Sequence, residues 1–168
     1  KNPRNKFLAD PFCVREDGRN YIFAEEYCYK QRKGHISVLL VEKDQVEHLG
    51  IAINEDFHLS YPYLFEYNGT YYMIPESCAS REIRLYKCTS FPMDWKFEKI
   101  RMSNLSAADA TVFFFGVKWW MFTNIDPVMS GDHCSELFAF WSDSPISDKW
   151  IPHAQNPLIV DPVNARMG

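Results

Sequence analysis

Three stretches of the chain show the same order of apolar and polar residues. They read ADPFCVREDGRNYIFAEEY from Ala9, SYPYLFEYNGTYYMIPES from Ser60 and ADATVFFFGVKWWMFTN from Ala108. Each has a small residue, then Asp or Tyr, then an apolar run, a two-residue turn and a second aromatic-rich run. Asp17-Gly18 and Asn68-Gly69 favour the positive φ angles of a type I′ turn, and Gly116 suits the first position of a type II′ turn. The pattern predicts three β-hairpins.

Two further strand-like runs follow each hairpin. They are GHISVLLVEK and QVEHLGIAI after the first, REIRLYKC and WKFEKIRM after the second, and SELFAFWSD and KWIPHA after the third. Four antiparallel strands in about 50 residues are typical of a β-propeller blade. No segment has a convincing helical period. We therefore predict an all-β propeller whose blades span residues 9–57, 58–106 and 107–156, with residues 157–168 starting a fourth, all in a single domain over 1–168.

The strands of the third repeat suggest stacked blades. VFFF and WWMF are continuously apolar, which predicts that both faces of these strands are buried. Propellers close with about 4 to 8 blades, whereas this sequence holds three. An unclosed set of blades would expose large apolar surfaces. We expect either further propeller sequence or a homo-oligomer to cover them.

Composition narrows the classes of function. The net charge is −4 and the Lys and Arg residues are scattered, which argues against nucleic-acid binding. No apolar run approaches the roughly 18 residues of a membrane-spanning helix. The five cysteines show no CxxC spacing, which argues against structural zinc. We expect them to be mainly buried thiols in a reducing compartment, which favours the cytoplasm, and we expect no metal and no cofactor.

The repeat with Asp-Pro at its start resembles the five-bladed propeller of family 43 glycoside hydrolases and their fructan- and sucrose-cleaving relatives. A closer resemblance is to the N-terminal propeller domain of glucosamine inositolphosphorylceramide transferase-like proteins. It covers nearly the whole chain and rests on ADPF (9–12), HLSYPYLFEYNGTYYMIPES (58–77), LYKCTSFPMDW (85–95), AADAT (107–111), ELFAFWSDSP (136–145), WIPHAQNPLIVD (150–161) and ARMG (165–168).

The resemblance to family 43 implies roles for acidic residues at the starts of inner strands. Asp10 matches the general base of that family, and Asp109 matches the Asp that orients and tunes the site. The general acid would fall near residues 164–166, where no carboxylate stands. Glycoside hydrolysis normally needs two carboxyl groups, one protonated and one ionised, so the resemblance implies incomplete hydrolase machinery.

Six polar residues are candidates for a site at one end of the propeller channel. We assign Asp10, Asp109 and Glu76 to catalysis and His58, Tyr61 and Arg166 to substrate binding. Each has a structural alternative. Asp10 and Asp109 would cap turns, Tyr61 would pack in the channel and His58 would be a structural histidine. Glu76 would pair with a neighbouring arginine, and Arg166 would either pair with Asp10 or Asp109 or lie on the surface.

Three hypotheses for function follow. The first is a domain that binds a sugar or glycoconjugate headgroup and is associated with glycan or glycolipid modification, without a complete hydrolase site. The second is a glycoside hydrolase in which Asp10 is the general base. The third is a scaffold propeller without catalysis. The expected partner is a sugar or glycoconjugate, with no nucleic acid and no membrane span.

Overall fold

The computed structural model describes residues 5–43 and 45–167, and over these residues the protein is built of β-strands. Within the described ranges, thirteen strands form three antiparallel sheets, and one 3-10 turn covers Cys78–Ser80. This confirms the all-β fold class predicted from the sequence. No helix in the described ranges has the length and apolar character needed to cross a membrane.

The first sheet contains four strands in the order β1-β2-β3-β4. Their bounds are Lys6–Glu16 (β1), Arg19–Cys28 (β2), Lys33–Glu42 (β3) and Gln45–Ile53 (β4). Asp17 and Gly18 have φ angles of 49° and 76°, the signs that a type I′ turn requires at both central positions. The predicted turn therefore sets the register of the first hairpin, in which Glu16 pairs with Arg19.

The second sheet repeats this order as β5-β6-β7-β8. The strands are Ser60–Tyr67 (β5), Thr70–Glu76 (β6), Glu82–Ser90 (β7) and Asp94–Ser103 (β8). Asn68 and Gly69, at φ 51° and 71°, make the β5–β6 turn. The sequence preference of Asn-Gly for a left-handed turn is thus met here as well.

The third sheet has the order β12-β11-β10-β9, and a fifth short strand, β13, pairs with β11. The strands are Ser106–Phe115 (β9), Lys118–Asp126 (β10), Glu136–Ser142 (β11), Ile151–Pro152 (β12) and Ile159–Val160 (β13). Gly116 between β9 and β10 has φ 66°, as the turn predicts. Residues 157–168 thus contribute a strand to the third sheet, and the assignment of a fourth repeat to them stays a prediction.

The described residues divide into two compact units. One comprises the chain up to Met73 together with Tyr86–Phe97, and the other comprises Ile74–Leu85 and the chain from Glu98 onward. The core of the first unit is aromatic: Phe23 packs edge-on against Trp95, and Tyr21 packs edge-on against Phe91. In the second unit Val112, Met121 and Ala139 are buried on adjacent strands of the third sheet.

Two burial predictions from the sequence are wrong. Val112 is buried, but Phe114 and Phe115 are 57% and 72% exposed, so the VFFF run is not covered on both faces. Beside it an apolar cavity of about 410 Å³ is lined by Phe113, Phe115, Trp120, Phe122, Ala139, His153 and Leu158. The cysteines are free thiols, yet Cys13 and Cys134 are exposed and Cys28, Cys78 and Cys88 are half-buried. The apolar character of the VFFF run and the usual burial of cysteine predicted that these side chains are buried. Their actual exposure depends on which other segments of the chain pack against them.

Candidate functional site

The three residues at equivalent repeat positions share a rare backbone conformation. Asp10, Tyr61 and Asp109 have φ angles of 47°, 41° and 53°. Positive φ is uncommon for a non-glycine residue, is strongly disfavoured for a large side chain such as Tyr, and costs about 1–3 kcal/mol. Such strain concentrates at functional positions. The repeat seen in the sequence is therefore a repeat of backbone geometry as well.

A β-bulge produces this geometry in the first and third sheets. Between the pairs Ala9–Glu25 and Phe12–Phe23, β1 has two residues where β2 has one. Between the pairs Ala108–Asn124 and Thr111–Phe122, β9 likewise has two residues where β10 has one. Bulges bend a strand and redirect side chains, and they are frequent beside active sites. Asp10 and Asp109 are each the first residue of the two in their bulges.

Asp10 and Tyr61 are joined directly. The Tyr61 amide N–H donates to Asp10 Oδ2 at 3.2 Å, and the Tyr61 ring lies edge-on to Phe12 with 4.9 Å between centroids. Both residues are half-buried. The Asp10 carboxylate thus accepts a backbone hydrogen bond from the equivalent residue of the next repeat.

His58 contacts two neighbouring strands of the first sheet, β3 through Gly34 and β2 through the buried carboxylate of Glu25. Its Nδ1 accepts a hydrogen bond from the Gly34 amide at 2.9 Å, so the ring proton of the neutral imidazole lies on Nε2. Nε2 is 3.6 Å from Glu25 Oε1, and the Glu25 side chain is 8% exposed. Gly34 is required here, because a Cβ at this position would lie 2.5 Å from the Leu59 carbonyl oxygen and 2.8 Å from His58 Cε1.

Arg166 and Asp109 form an ion pair. Arg166 Nη2 lies 2.7 Å from Asp109 Oδ2, and the Asp109 side chain is 5% exposed whereas that of Arg166 is 40% exposed. Arg166 Nη1 also donates to the His133 carbonyl oxygen at 3.0 Å. Of the alternatives open in the sequence, the structure selects the pairing of Arg166 with Asp109. The buried carboxylate is compensated by a guanidinium that stays partly open to solvent.

Glu76 lies at the end of β6 beside the 3-10 turn. Its Oε1 accepts a hydrogen bond from Cys78 Sγ at 3.4 Å. The pKa of the Cys78 thiol is raised to about 12 by burial first, and then by the charge and hydrogen bond of Glu76, with a smaller contribution from the charge of Asp109. Glu76 and Asp109 therefore both raise the pKa of the half-buried Cys78 thiol, which stays protonated near neutral pH.

The structure groups the six candidates in two sets, one in each compact unit. Asp10, His58 and Tyr61 belong to the first unit, and Glu76, Asp109 and Arg166 belong to the second. Within the sets, Asp10 contacts Tyr61 and Asp109 contacts Arg166. In the described part of the chain no group of three His, Cys, Asp or Glu side chains is arranged to hold a metal ion.

Sequence reasoning missed several polar residues that the structure buries. Glu26 is 4% exposed and accepts hydrogen bonds from Lys6 Nζ at 2.5 Å, His35 Nε2 at 3.0 Å and His48 Nε2 at 2.7 Å. Asn124 is fully buried beside the bulge of the third sheet. The consecutive carboxylates Glu25 and Glu26 within an apolar strand were the available signal, because an unpaired buried charge is costly.

The fold is shared with glycoside hydrolases of known structure. Zg3597, a family 117 glycoside hydrolase of the marine bacterium Zobellia galactanivorans, matches with a TM-score of 0.70 at 12% identity, over 94% of this chain and 58% of that one. GH43B of the Bacteroides ovatus xyloglucan PUL matches with a TM-score of 0.67 at 14% identity, over 95% of this chain and 32% of that one. The three sheets are therefore blades of a β-propeller of the kind found in these hydrolases.

Sequence comparison gives the family. The chain belongs to the family described as "Glucosamine inositolphosphorylceramide transferase 1, N-terminal", whose model matches residues 1–167. Glucosamine inositolphosphorylceramide transferase 1 of Oryza sativa subsp. japonica is 34% identical over 156 residues, which is 92% of this chain. The chain spans about a fifth of the length of that relative, 21%. The resemblance drawn from the sequence motifs is confirmed.

Proposed function

We propose that this chain is a carbohydrate- or glycoconjugate-binding propeller domain of a glycolipid-modifying protein, without a complete hydrolase site. The family membership supports the association with glycolipid modification, and the hydrolase-like propeller supports a sugar-related ligand. In the first unit, Asp10 is the proposed acidic residue and His58 and Tyr61 are the proposed ligand contacts. In the second unit, Asp109 and Glu76 are the proposed acidic residues and Arg166 is the proposed ligand contact.

The ion pair between Arg166 and Asp109 is the observation that carries this proposal. A glycosidase needs one carboxyl group that is protonated and one that is ionised. The different surroundings of the two groups in the active site separate their pKa values. Where the resemblance to family 43 calls for an acid near residues 164–166, this chain has Arg166. Its guanidinium lies 2.7 Å from Asp109, the matching tuning residue. A permanent cation that pairs with a buried carboxylate suits hydrogen bonding to hydroxyl or anionic groups better than proton donation.

One observation favours an alternative, a hydrolase that uses Asp10 as its general base. The Asp10 carboxylate is half-buried, lies in a strained bulge and accepts the Tyr61 amide through Oδ2. A carboxylate oriented in this way is able to accept a proton from water as a general base, and hydrolysis also needs an acid that protonates the leaving oxygen. Glu76 is the candidate acid within the chain under this alternative.

The experiment that separates these functions uses one set of probes for binding and turnover. The probes are glucosamine, inositol phosphate and xyloglucan oligosaccharides, with aryl glycosides for hydrolysis. A binding domain gives saturable calorimetric binding to at least one sugar without product, and Asp109→Ala weakens it. Turnover of an aryl glycoside that Asp10→Asn abolishes while the melting temperature is retained would replace the binding proposal by the hydrolase.

The scaffold hypothesis makes a distinct prediction in the same assay. A propeller whose channel residues are only structural binds none of the probes and turns none over. Of the two expected ways to cover the open apolar surface, further propeller sequence or a homo-oligomer, the second would use the aromatic surface at Phe113–Phe115 as its contact region. A concentration-dependent dimer in sedimentation velocity supports self-association of the chain, and a monomer at all concentrations contradicts it.

A further inference from the structure

Asn124 is a fully buried polar residue next to the bulge that carries Asp109. It lies on β10 and pairs with Ala108, and its side chain is enclosed by the third sheet and by residues 165–167. A buried carboxamide must have its donors and acceptor satisfied to be tolerated in such a place. The hydrogen bonds of this side chain therefore show what it does.

The Asn124 carboxamide binds the backbone on both sides of Arg166. Its Nδ2 donates to the Ala165 carbonyl oxygen at 2.8 Å, and its Oδ1 accepts from the Met167 amide at 2.7 Å. Nδ2 also donates to the Glu136 carbonyl oxygen at 3.0 Å, which fixes the carboxamide to β11. The side chain thus makes one donated and one accepted hydrogen bond with the segment that carries Arg166, as the backbone of a neighbouring strand would.

The segment around Arg166 is not part of a strand, so its backbone is held by bonds of the loop itself and by side chains. On its N-terminal side, the Ala165 amide donates to the Asp161 carbonyl oxygen at 3.0 Å and the Val163 amide donates to Asp161 Oδ1 at 2.8 Å. On its C-terminal side, the bond from Met167 to Asn124 defines the path of the chain. Asn124 is therefore placed to fix the backbone angles of Arg166.

Only a carboxamide satisfies this arrangement among side chains of this size. Two backbone carbonyls require a donor and one backbone amide requires an acceptor. An aspartate retains the acceptor but faces the two carbonyls with oxygen, and an alanine offers neither group. We infer that Asn124 is a positioning residue that holds the 165–167 backbone so that Arg166 is presented to Asp109. The role of Arg166 in ligand binding rests on the proposed function, whereas its positioning does not.

The test measures the positioning without any ligand. In wild-type protein, we expect slow amide hydrogen exchange at Met167 and separate NMR signals for the Nη groups of Arg166, because a paired guanidinium rotates slowly. Asn124→Ala should speed Met167 exchange by at least about tenfold and merge the Arg166 signals. Asn124→Asp, which matches the residue in size, should keep most of the Met167 protection and still merge the Arg166 signals.

Asn156 provides the matched control. Its carboxamide also bonds one backbone carbonyl and one backbone amide, both of Ala139, with Nδ2 donating to the carbonyl oxygen at 2.7 Å and Oδ1 accepting from the amide at 2.9 Å. Asn156→Ala should lower the melting temperature without changing Met167 exchange or the Arg166 signals. Separate Arg166 signals in both Asn124 variants would overturn the inference. An equal loss of Met167 protection and of separate Arg166 signals in Asn156→Ala would overturn it as well. If neither Asn124 variant folds, the exchange rate of the Met167 amide in wild type is the test. A rate as fast as that of a fully exposed amide would contradict the hydrogen bond from Met167 to Asn124.

A sugar titration then separates this inference from the proposed function. If the ligand-free signals change as expected and no probe sugar binds to wild type, the positioning stands and the proposed function fails. If wild type binds a probe sugar and Asn124→Asp binds it equally well despite merged Arg166 signals, the positioning serves no ligand contact and that part of the inference is overturned.

Discussion

The Tyr61 amide donates to the Asp10 carboxylate at 3.2 Å, and both residues have left-handed backbone angles. The two residues are equivalent in the first and second repeats, so one repeat stabilises the strained start of the next. An aspartate suits this place because its short side chain tolerates positive φ and accepts nearby backbone amides.

This relationship predicts different effects for two substitutions of Asp10. Asp10→Asn keeps an oxygen acceptor and a side chain that tolerates positive φ, so the free energy of unfolding should change by less than about 0.5 kcal/mol. Asp10→Ala leaves the Tyr61 amide without this acceptor and should cost about 1–2 kcal/mol. Urea unfolding of both variants measures the difference. Equal stability of the two variants would show that the hydrogen bond contributes nothing.

The close packing around Gly34 predicts a large effect of a single methyl group. A Cβ there would lie 2.5 Å from the Leu59 carbonyl oxygen and 2.8 Å from Glu25 Oε1. Gly34→Ala should therefore destabilise the fold by about 1–3 kcal/mol and displace His58. Thermal unfolding measures the first effect, and the NMR shift of the His58 ring measures the second.

Gly69 is the matched control for Gly34. It has φ 71° and open space around it, so its substitution costs backbone strain alone, about 1–2 kcal/mol for Ala. Asn tolerates left-handed angles, so Gly69→Asn should recover most of the stability, whereas Gly34→Asn should be worse than Gly34→Ala. Recovery of stability by Asn at position 34 would contradict the packing explanation.

The cluster around Glu26 predicts a loss of stability in acid. Burial alone would raise the pKa of this carboxyl, but hydrogen bonds from Lys6, His35 and His48 outweigh it and lower the pKa to about 2 from 4.5. The unfolded chain therefore binds the proton more readily. The stabilisation is complete above about pH 5 and is lost as the pH falls towards 2, with a maximum size of about 3 kcal/mol.

Glu26→Gln should remove most of that pH dependence. The measurement is the urea midpoint between pH 2.5 and pH 7 for wild type and variant. Glu42→Gln is the control, because the Glu42 pair with Arg19 is exposed and such pairs contribute little. A Glu26→Gln curve as steep as that of wild type below pH 5 would place the acid sensitivity elsewhere.

The contact between Glu76 and Cys78 predicts the order in which the thiols react. Burial and Glu76 raise the pKa of Cys78 to about 12, so at pH 8 this thiol should label with iodoacetamide much more slowly than the exposed Cys13 and Cys134. Glu76→Gln removes a charge and should speed labelling of Cys78 at pH 9. Peptide mass spectrometry follows each thiol, and unchanged Cys78 labelling in the variant would show that burial alone controls it.

Most of the fold could be predicted from the sequence because its signals are local. Asp17-Gly18 and Asn68-Gly69 set their hairpins through their own backbone preferences, and the spacing of Asp10, Tyr61 and Asp109 shows the repeat. Burial was less predictable. The exposure of Phe115 depends on what lies beside the strand, which strand periodicity does not encode.

The sequence offered candidate residues for the site but not the interactions between them. Equivalent repeat positions pointed to Asp10 and Asp109, yet the choice of Asp109 as the partner of Arg166 depends on a contact between residues 57 positions apart. Asn124 gave no signal, because an asparagine at the end of an apolar strand is typical of a turn. Its inferred role depends on hydrogen bonds to residues 165–167, which lie about 40 positions away in the sequence.

We propose that the pair of Asp109 and Arg166 binds a sugar without hydrolysing it. The most direct measurement is calorimetric titration of the probe sugars into wild type, Asp109→Ala, Arg166→Ala and the Asn156→Ala control, with the mixtures checked for product. We predict saturable binding by wild type and the control, at least about tenfold weaker binding by both site variants, and no product. Hydrolysis by wild type, or equal affinity in the Arg166→Ala variant, would contradict the proposed binding function.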